Sequence, residues 1–259
     1  MTLLITAGVL FTGLSVLWAV SVRLKDASLV DPFWSISFLV IAFSTVIQTG
    51  FSPAKIVMLA AVSLWALRLF SHLMRRFLAH PEEDPRYQAF RQKYGPERYW
   101  WVSYFQVFVL QGTLALLVAA PLLLAGGAPQ PDPIGLWDIL GASVFLLGTG
   151  LEAIADRQLA TYRADKSPDK ARVLDTGLWR YSRHPNYFGN AVLWWGLGLM
   201  ALDQPWGWVA LLGPALMSYL LVKVSGVALL DAQLSRTRPG YKEYMERTSG
   251  FVPWFPKAP

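Results

Sequence analysis

The chain has no cysteine at all, which excludes disulfides, thiolate catalysis, iron–sulfur clusters and Cys-ligated zinc, and leaves the redox compartment unread. Charge is scarce as well. Charged residues make up 15% of the 259 against 54% hydrophobic ones, too apolar a balance for an ordinary soluble fold. The three histidines, His72, His80 and His184, sit at no metal-binding spacing, so no metal site is expected. A P-loop, a Rossmann glycine fingerprint, an H-E-x-x-H helix and a nucleophile elbow are all missing, which argues against the soluble cofactor-binding folds. Aromatic residues, by contrast, abound: twelve Trp, fourteen Phe and ten Tyr, rings that settle at the headgroup level of a bilayer. The net charge of +6 lies between apolar runs rather than on a soluble face, so it reads as membrane orientation and not as nucleic-acid binding.

A hydrocarbon core of about 30 Å needs roughly 20 apolar helical residues. Seven runs qualify, near Leu3 to Val22, Phe33 to Thr49, Ala54 to Leu73, Tyr104 to Ala125, Ile134 to Ile154, Phe188 to Ala201 and Trp206 to Leu230, the sixth being the shortest. The stretch from Arg75 to Arg98 reads as a loop with a short surface helix, and Asp156 to Tyr187 is the longest polar segment. The turns at Gly126 to Pro133 and Asp203 to Pro205 carry no Lys or Arg, whereas the segments after spans three, five and seven are basic, and the first linker, Arg23 to Pro32, falls on their side. Positive-inside then predicts an all-α, polytopic membrane protein of about seven helices, N-terminus outside and C-terminus in the cytoplasm. It is expected to be a single domain over 1–259 with cytoplasmic segments at about 156–187 and 231–259. The first apolar run lacks a basic n-region and is long enough to span, so it is expected to be retained rather than cleaved.

Polar chemistry gathers on the cytoplasmic side. Arg68, Glu152 and Asp156 fall inside or at the edge of spans, where an ionisable group normally pairs or binds something. An internal ion pair of Arg68 with Glu152 or Asp31 and a cavity wall near a cofactor are both open. The window Asp175 to Asn190 holds the only two asparagines, Asn186 and Asn190, with Arg180, Arg183 and His184. Guanidinium groups fork onto phosphate and a carboxamide matches the amide of a nicotinamide ring. The same arginines, with Lys170, could equally anchor the loop to anionic headgroups. His184, beside Pro185, fits a turn hydrogen-bonder better than a base. The tail from Arg236 to Phe255 brings basic and aromatic groups to the same face, as an interfacial anchor or as a lid over a pocket.

The run Gly177-Leu178-Trp179-Arg180-Tyr181-Ser182-Arg183-His184-Pro185-Asn186-Tyr187-Phe188-Gly189 resembles the signature of the DUF1295 family, the bacterial branch of the steroid 5-alpha-reductase C-terminal superfamily. Arg247 to Pro256, Ser28 to Trp34 and Glu83 to Tyr87 fit the same pattern. The resemblance implies a membrane reductase that takes hydride from NADPH to an activated C=C bond of a steroid or other lipid-like molecule. By position it implies Asn186 at the nicotinamide amide and Asp156 and Arg163 at the adenosine part. It implies Arg68, Arg172, Arg183, Tyr187, Tyr244 and Arg247 around phosphates and ribose, with His184 in the same binding loop. A bacterial inner membrane with the cofactor site facing the cytoplasm follows from it.

The chain departs from the steroid enzymes at the proton donor. Their Gln-Glu pair corresponds to the neighbourhood of Asp31 with no Gln beside it, and their catalytic Tyr falls on Trp65, three residues before Arg68. Asp31 is therefore the expected catalytic residue, a protonated carboxyl donating a hydrogen bond to a substrate oxygen. The rival is an S-adenosylmethionine-dependent methyltransferase of the isoprenylcysteine and phospholipid type, which shares an Arg-His-Pro-x-Tyr-x-Gly loop. Those enzymes place a Glu-Glu pair where this chain has Leu229-Leu230-Asp231. A non-enzymatic lipid carrier is the third reading, although no paired halves of a transporter are visible. Expected partners are a lipid or steroid-like small molecule and membrane lipids, with no nucleic acid; no protein partner is readable.

Overall fold

A computed structural model describes residues 1–80, 82–128, 133–167, 173–224 and 226–257. Those residues are helical or irregular, with no strand among them. Six helical stretches are long and apolar enough to cross a membrane: Thr2–Leu24, Ala27–Thr49, Pro53–Ala79, Pro96–Val118, Leu136–Ala164 and Gly207–Thr237. The chain divides into two compact units, Met1–Asp138 with Met200–Ala210, and Ile139–Leu199 with Leu211–Pro259.

In the first unit α1 (Thr2–Leu24) ends where Lys25 turns left-handed at φ 56°, and Asp26 then caps a short 3-10 turn, Ala27–Leu29, by accepting the Ser28 amide. Helix α2 (Val30–Thr49) closes at Gly50, and Ser52 caps α3 (Pro53–Ala79) with Pro53 at the first position, where a missing N–H costs nothing. Helix α2 is the centre, packed against α1 and α3, and its Phe38, Ile41 and Ala42 are sealed with Val62, Trp65 and Ala66 of α3. Across α1 and α2 a polar seam runs from Gln48 Nε2 to Thr6 Oγ1 at 3.1 Å and on to Ser44. Such interhelical bonds hold helices together where lipid removes the hydrophobic drive. Leu4, Val9, Val16 and Val20 point outward on α1, as a lipid-facing helix requires.

The polar stretch after α3 forms the expected short helix, α4 (Pro85–Tyr94), capped by Asp84 and stopped by Gly95 at φ 75°. Then come α5 (Pro96–Ser103), a π-helical turn (Tyr104–Val109) and α6 (Leu110–Val118). The fourth apolar run, expected unbroken from Tyr104 to Ala125, begins earlier and breaks at Ala119. Pro121, which has no N–H to return, opens a separate α7 (Ala120–Gly126).

The second unit is built on α8 (Leu136–Ala164, from Ile139 onward) and α9 (Pro185–Leu199). The two run in backbone contact. A Cβ on Gly148 would lie 2.3 Å from the Leu193 nitrogen, one on Gly189 2.5 Å from that of Glu152, and one on Gly196 2.5 Å from that of Phe145. Helix α9 has fifteen residues, about 22 Å of rise, which is why this sixth apolar run falls short of a full crossing by length. The unit ends with α10 (Leu212–Tyr219), a π-helical turn (Leu220–Val224), α11 (Val227–Thr237) and α12 (Tyr241–Arg247).

Candidate functional site

The four segments that carry the family likeness come together two by two, one pair in each unit. In the first unit Ser28–Trp34 meets Glu83–Tyr87. The Ala27 amide donates to Glu83 Oε1 at 2.9 Å and the Asp84 amide to Ser28 Oγ at 3.1 Å. Arg91 forks onto both Glu83 oxygens at 2.8 Å and reaches the Lys25 carbonyl, which fixes the loop against α4.

This zipper delivers Arg86 and Tyr87 to Asp31, in the first turn of α2. The Tyr87 hydroxyl donates to Asp31 Oδ1 at 2.6 Å and Arg86 Nη2 to Asp31 Oδ2 at 2.6 Å. Gln111 Nε2 reaches the Tyr87 oxygen at 3.4 Å. Asp31, whose side chain is 30% exposed, thus receives one bond on each oxygen, from the phenol and from the guanidinium. Burial, and then the adjacent Asp31 charge, push the Tyr87 phenol well above its ordinary range, so its proton stays on at neutral pH. Burial alone would weaken the Arg86 cation, but the Asp84 hydrogen bond and the Asp31 charge raise it instead. Tyr87 and Arg86 are the residues that spacing to Arg68 could not find; the usable signal was the Asp84-Pro85 helix start, which aims the next two side chains back at α2. Trp65 is fully buried against Phe38, ring centroids 5.7 Å apart, and Arg68 lies half-buried one turn further along α3.

In the second unit Gly177–Gly189 meets the tail. Arg183 N donates to the Ser249 carbonyl, Ser182 Oγ to that of Phe251, and Trp254 N to that of Tyr181. At the centre is Asp231 of α11. Arg183 Nη2 reaches its Oδ2 at 2.7 Å, while His184 Nε2 at 2.9 Å and the Tyr241 hydroxyl at 2.6 Å share its Oδ1. Arg183 Nη1 then bonds the Met245 and Thr248 carbonyls. Tyr244, also expected near cofactor, donates to the carbonyl of Trp179, and Arg247 Nη2 pairs with Asp175 at 2.5 Å. Burial, then the bond to Asp231, push the Tyr241 phenol far up, and burial does the same for Tyr244. Asp231, Tyr241 and Ser182 were not expected as site residues.

One turn into the unit, α8 and α9 share two acid–amide contacts. Asn186 Nδ2 donates to Asp156 Oδ1 at 3.1 Å, and one helical turn deeper Asn190 Nδ2 donates to Glu152 Oε2 at 3.3 Å. The four-residue spacing on both helices makes these rungs stack. Tyr187 lies parallel to the His184 ring, centroids 5.6 Å apart, and Arg163 is exposed near the end of α8. Arg172 lies outside the described residues.

The residues fit a nicotinamide nucleotide in part. Asn186 is half-buried, and after its bonds to Asp156 and the Tyr187 amide it retains one amide proton and one lone pair, the two groups a carboxamide partner needs. Arg163 and Arg247 present guanidinium groups at the surface. Arg183 and His184 are occupied by the protein itself, so their contribution is to hold the loop that carries Asn186.

Fold and clusters together define a polytopic, all-helical integral membrane protein with a polar network in each unit. The chain belongs to the DUF1295 family, described as proteins of unknown function, whose model matches residues 17–248. It is similar to an uncharacterised protein of the fission yeast Schizosaccharomyces pombe, 27% identical over 92% of this chain and 76% of the yeast protein. No solved structure matches.

Proposed function

We propose that the chain is an NADPH-dependent membrane reductase acting on an activated C=C bond of a steroid or other lipid-like molecule. The observation that carries this reading is the Tyr87–Asp31–Arg86 cluster, a phenol kept protonated and aimed by a carboxylate at the edge of an apolar span. A reductase needs such a proton source, and methyl transfer does not. NADPH, when bound, supplies the hydride. With its hydroxyl turned from Asp31 onto the substrate oxygen, Tyr87 gives that oxygen its proton as negative charge develops there, and the two-electron reduction is balanced once the enol returns to the ketone. Asp31 orients the phenol and, through its exposed edge, passes a proton from water back to it. Arg86 holds Asp31 in place from its other oxygen. Asn186 and Tyr187, with Arg163 and Arg247, are the groups that would hold the cofactor. The rival methyltransferase would want a carboxylate for the cofactor's ammonium on α11, and Asp231 there already takes bonds from three side chains.

The membrane arrangement that goes with this reading has seven spans, α9 completing the count, with the cofactor side in the cytoplasm of a bacterial cell. Its support is the distribution of Lys and Arg between the connecting segments.

Binding of NADPH, NADH and S-adenosylmethionine to the purified full chain, read by reduced-nicotinamide fluorescence and by calorimetry, tests the class. NADPH binding without S-adenosylmethionine binding is expected; the reverse would overturn the proposal. Tyr87→Phe should then lower NADPH oxidation supported by a membrane lipid extract by about 10²–10⁴-fold, with cofactor affinity unchanged. Full turnover in that variant would remove Tyr87 as the acid.

A further inference from the structure

A groove of about 550 Å³ runs along α8 on a face that none of the groups above uses. From α8 it is lined by Ile154, Arg157, Gln158, Thr161 and Tyr162, and just beyond the helix by Asp165. At about 100° per residue these positions cluster roughly opposite Asp156 and Arg163, which share the other face with Glu152. The groove is therefore separate from the acid–amide rungs that Asn186 joins.

Its outer wall, Leu174 and Thr176, is fixed in place. The Leu178 amide donates to Gln158 Oε1 at 3.0 Å and Trp179 Nε1 to the Ala155 carbonyl at 3.1 Å. Gly177 makes the turn at φ 60°, a left-handed backbone that favours glycine.

We infer that this groove holds one membrane phospholipid, its phosphodiester between Arg157 and the Thr161 and Tyr162 hydroxyls. The order of groups along α8 carries the assignment. Ile154, at the end of the apolar run, is 52% exposed and suits an acyl chain beside Leu174. One turn on, Arg157 supplies an exposed guanidinium at the depth where phosphates lie, and Arg238 Nη1, 3.3 Å from the Tyr162 hydroxyl, adds a second cation. Asp165, at the outer end, accepts rather than donates. The headgroup beyond the phosphate must then carry hydrogen-bond donors, as ethanolamine and glycerol do and choline does not. The inference rests on the membrane placement of α8 and is independent of the reductase reading.

Native mass spectrometry of the full chain, released from nanodiscs of equimolar phosphatidylethanolamine, phosphatidylglycerol and phosphatidylcholine, tests it. One retained lipid is expected, the choline form at least about fivefold less than the other two, in keeping with one net hydrogen bond. Arg157→Gln should lower retention about tenfold and Asp165→Asn should erase the headgroup preference, with thermal unfolding unchanged in both; Lys242→Gln, on the exposed tail, should do neither. Equal retention in Arg157→Gln, or choline lipid held as well as the rest, would overturn it. So would displacement of the lipid by inorganic phosphate, which makes this a soluble-anion site, or by NADPH, which gives the groove to the cofactor.

Discussion

Arg183 shows how a single residue's role turns on its partners. Its guanidinium suits a phosphate by type, yet in the fold it forks toward Asp231 and caps the Met245 and Thr248 carbonyls. With side chains only 12% and 10% exposed, Arg183 and Asp231 form a pair whose breaking leaves an uncompensated charge. Arg183→Ala is expected to cost about 3–5 kcal/mol and to expose the tail to protease, both measurable by thermal unfolding and limited digestion. Arg183→Lys should recover little, because an ammonium cannot make the fork. A protein as stable as wild type in both variants, with cofactor binding lost, would return Arg183 to a phosphate. Tyr241 gives the same knot a pH dependence. Its phenol is raised in the folded state, so its contribution is fully present below the unfolded value near 10 and is lost as pH rises through the folded value. The melting temperature should fall above about pH 10, and less so in Tyr241→Phe, compared at equal pH.

At the scale of elements, the α8–α9 contact has the least tolerance. Gly148, Gly189 and Gly196 face backbone atoms rather than flexible side chains, so an added methyl group forces the helices apart. Gly148→Ala should destabilise by about 1–3 kcal/mol or more and loosen the Asn186–Asp156 rung, whereas Gly150→Ala, which meets open space, should not. Paired melting curves of the two variants decide it. The helices themselves were legible from apolar run length, because lipid leaves little alternative. Their partners were not: Gly148 announces close packing without naming Leu193. The loop clusters were legible as motifs and illegible as contacts, since Asp31 and Tyr87 are separated by two whole helices in sequence. Spacing within one helix placed the steroid enzymes' tyrosine on Trp65, which is no acid and left Asp31 as the expected donor, while the phenol that meets Asp31 arrives from α4. Asp231 was visible only as a departure from another family's acidic pair; that it gathers Arg183, His184 and Tyr241 depends on how the tail folds back.

Over the whole molecule the open quantity is how many times the chain crosses. Six stretches qualify by length, and α9, with fifteen residues, decides between six and seven. A helix of about 22 Å can still cross where the bilayer thins or where aromatic residues anchor its ends. Trp206 and Trp208, 72% and 61% exposed just beyond α9, are suited to that anchoring. The segments on either side of α9 differ in charge as a crossing requires. Lys166 precedes it in a basic stretch, and Gln204 follows it in a turn with no Lys or Arg. Because the chain has no cysteine, single substitutions report without background. In intact bacterial cells Gln204→Cys should react with a membrane-impermeant maleimide, and Lys166→Cys only after the membrane is opened, if α9 spans. Labelling of both from the same side would leave α9 as a re-entrant helix, give six crossings, and put the two termini on one face.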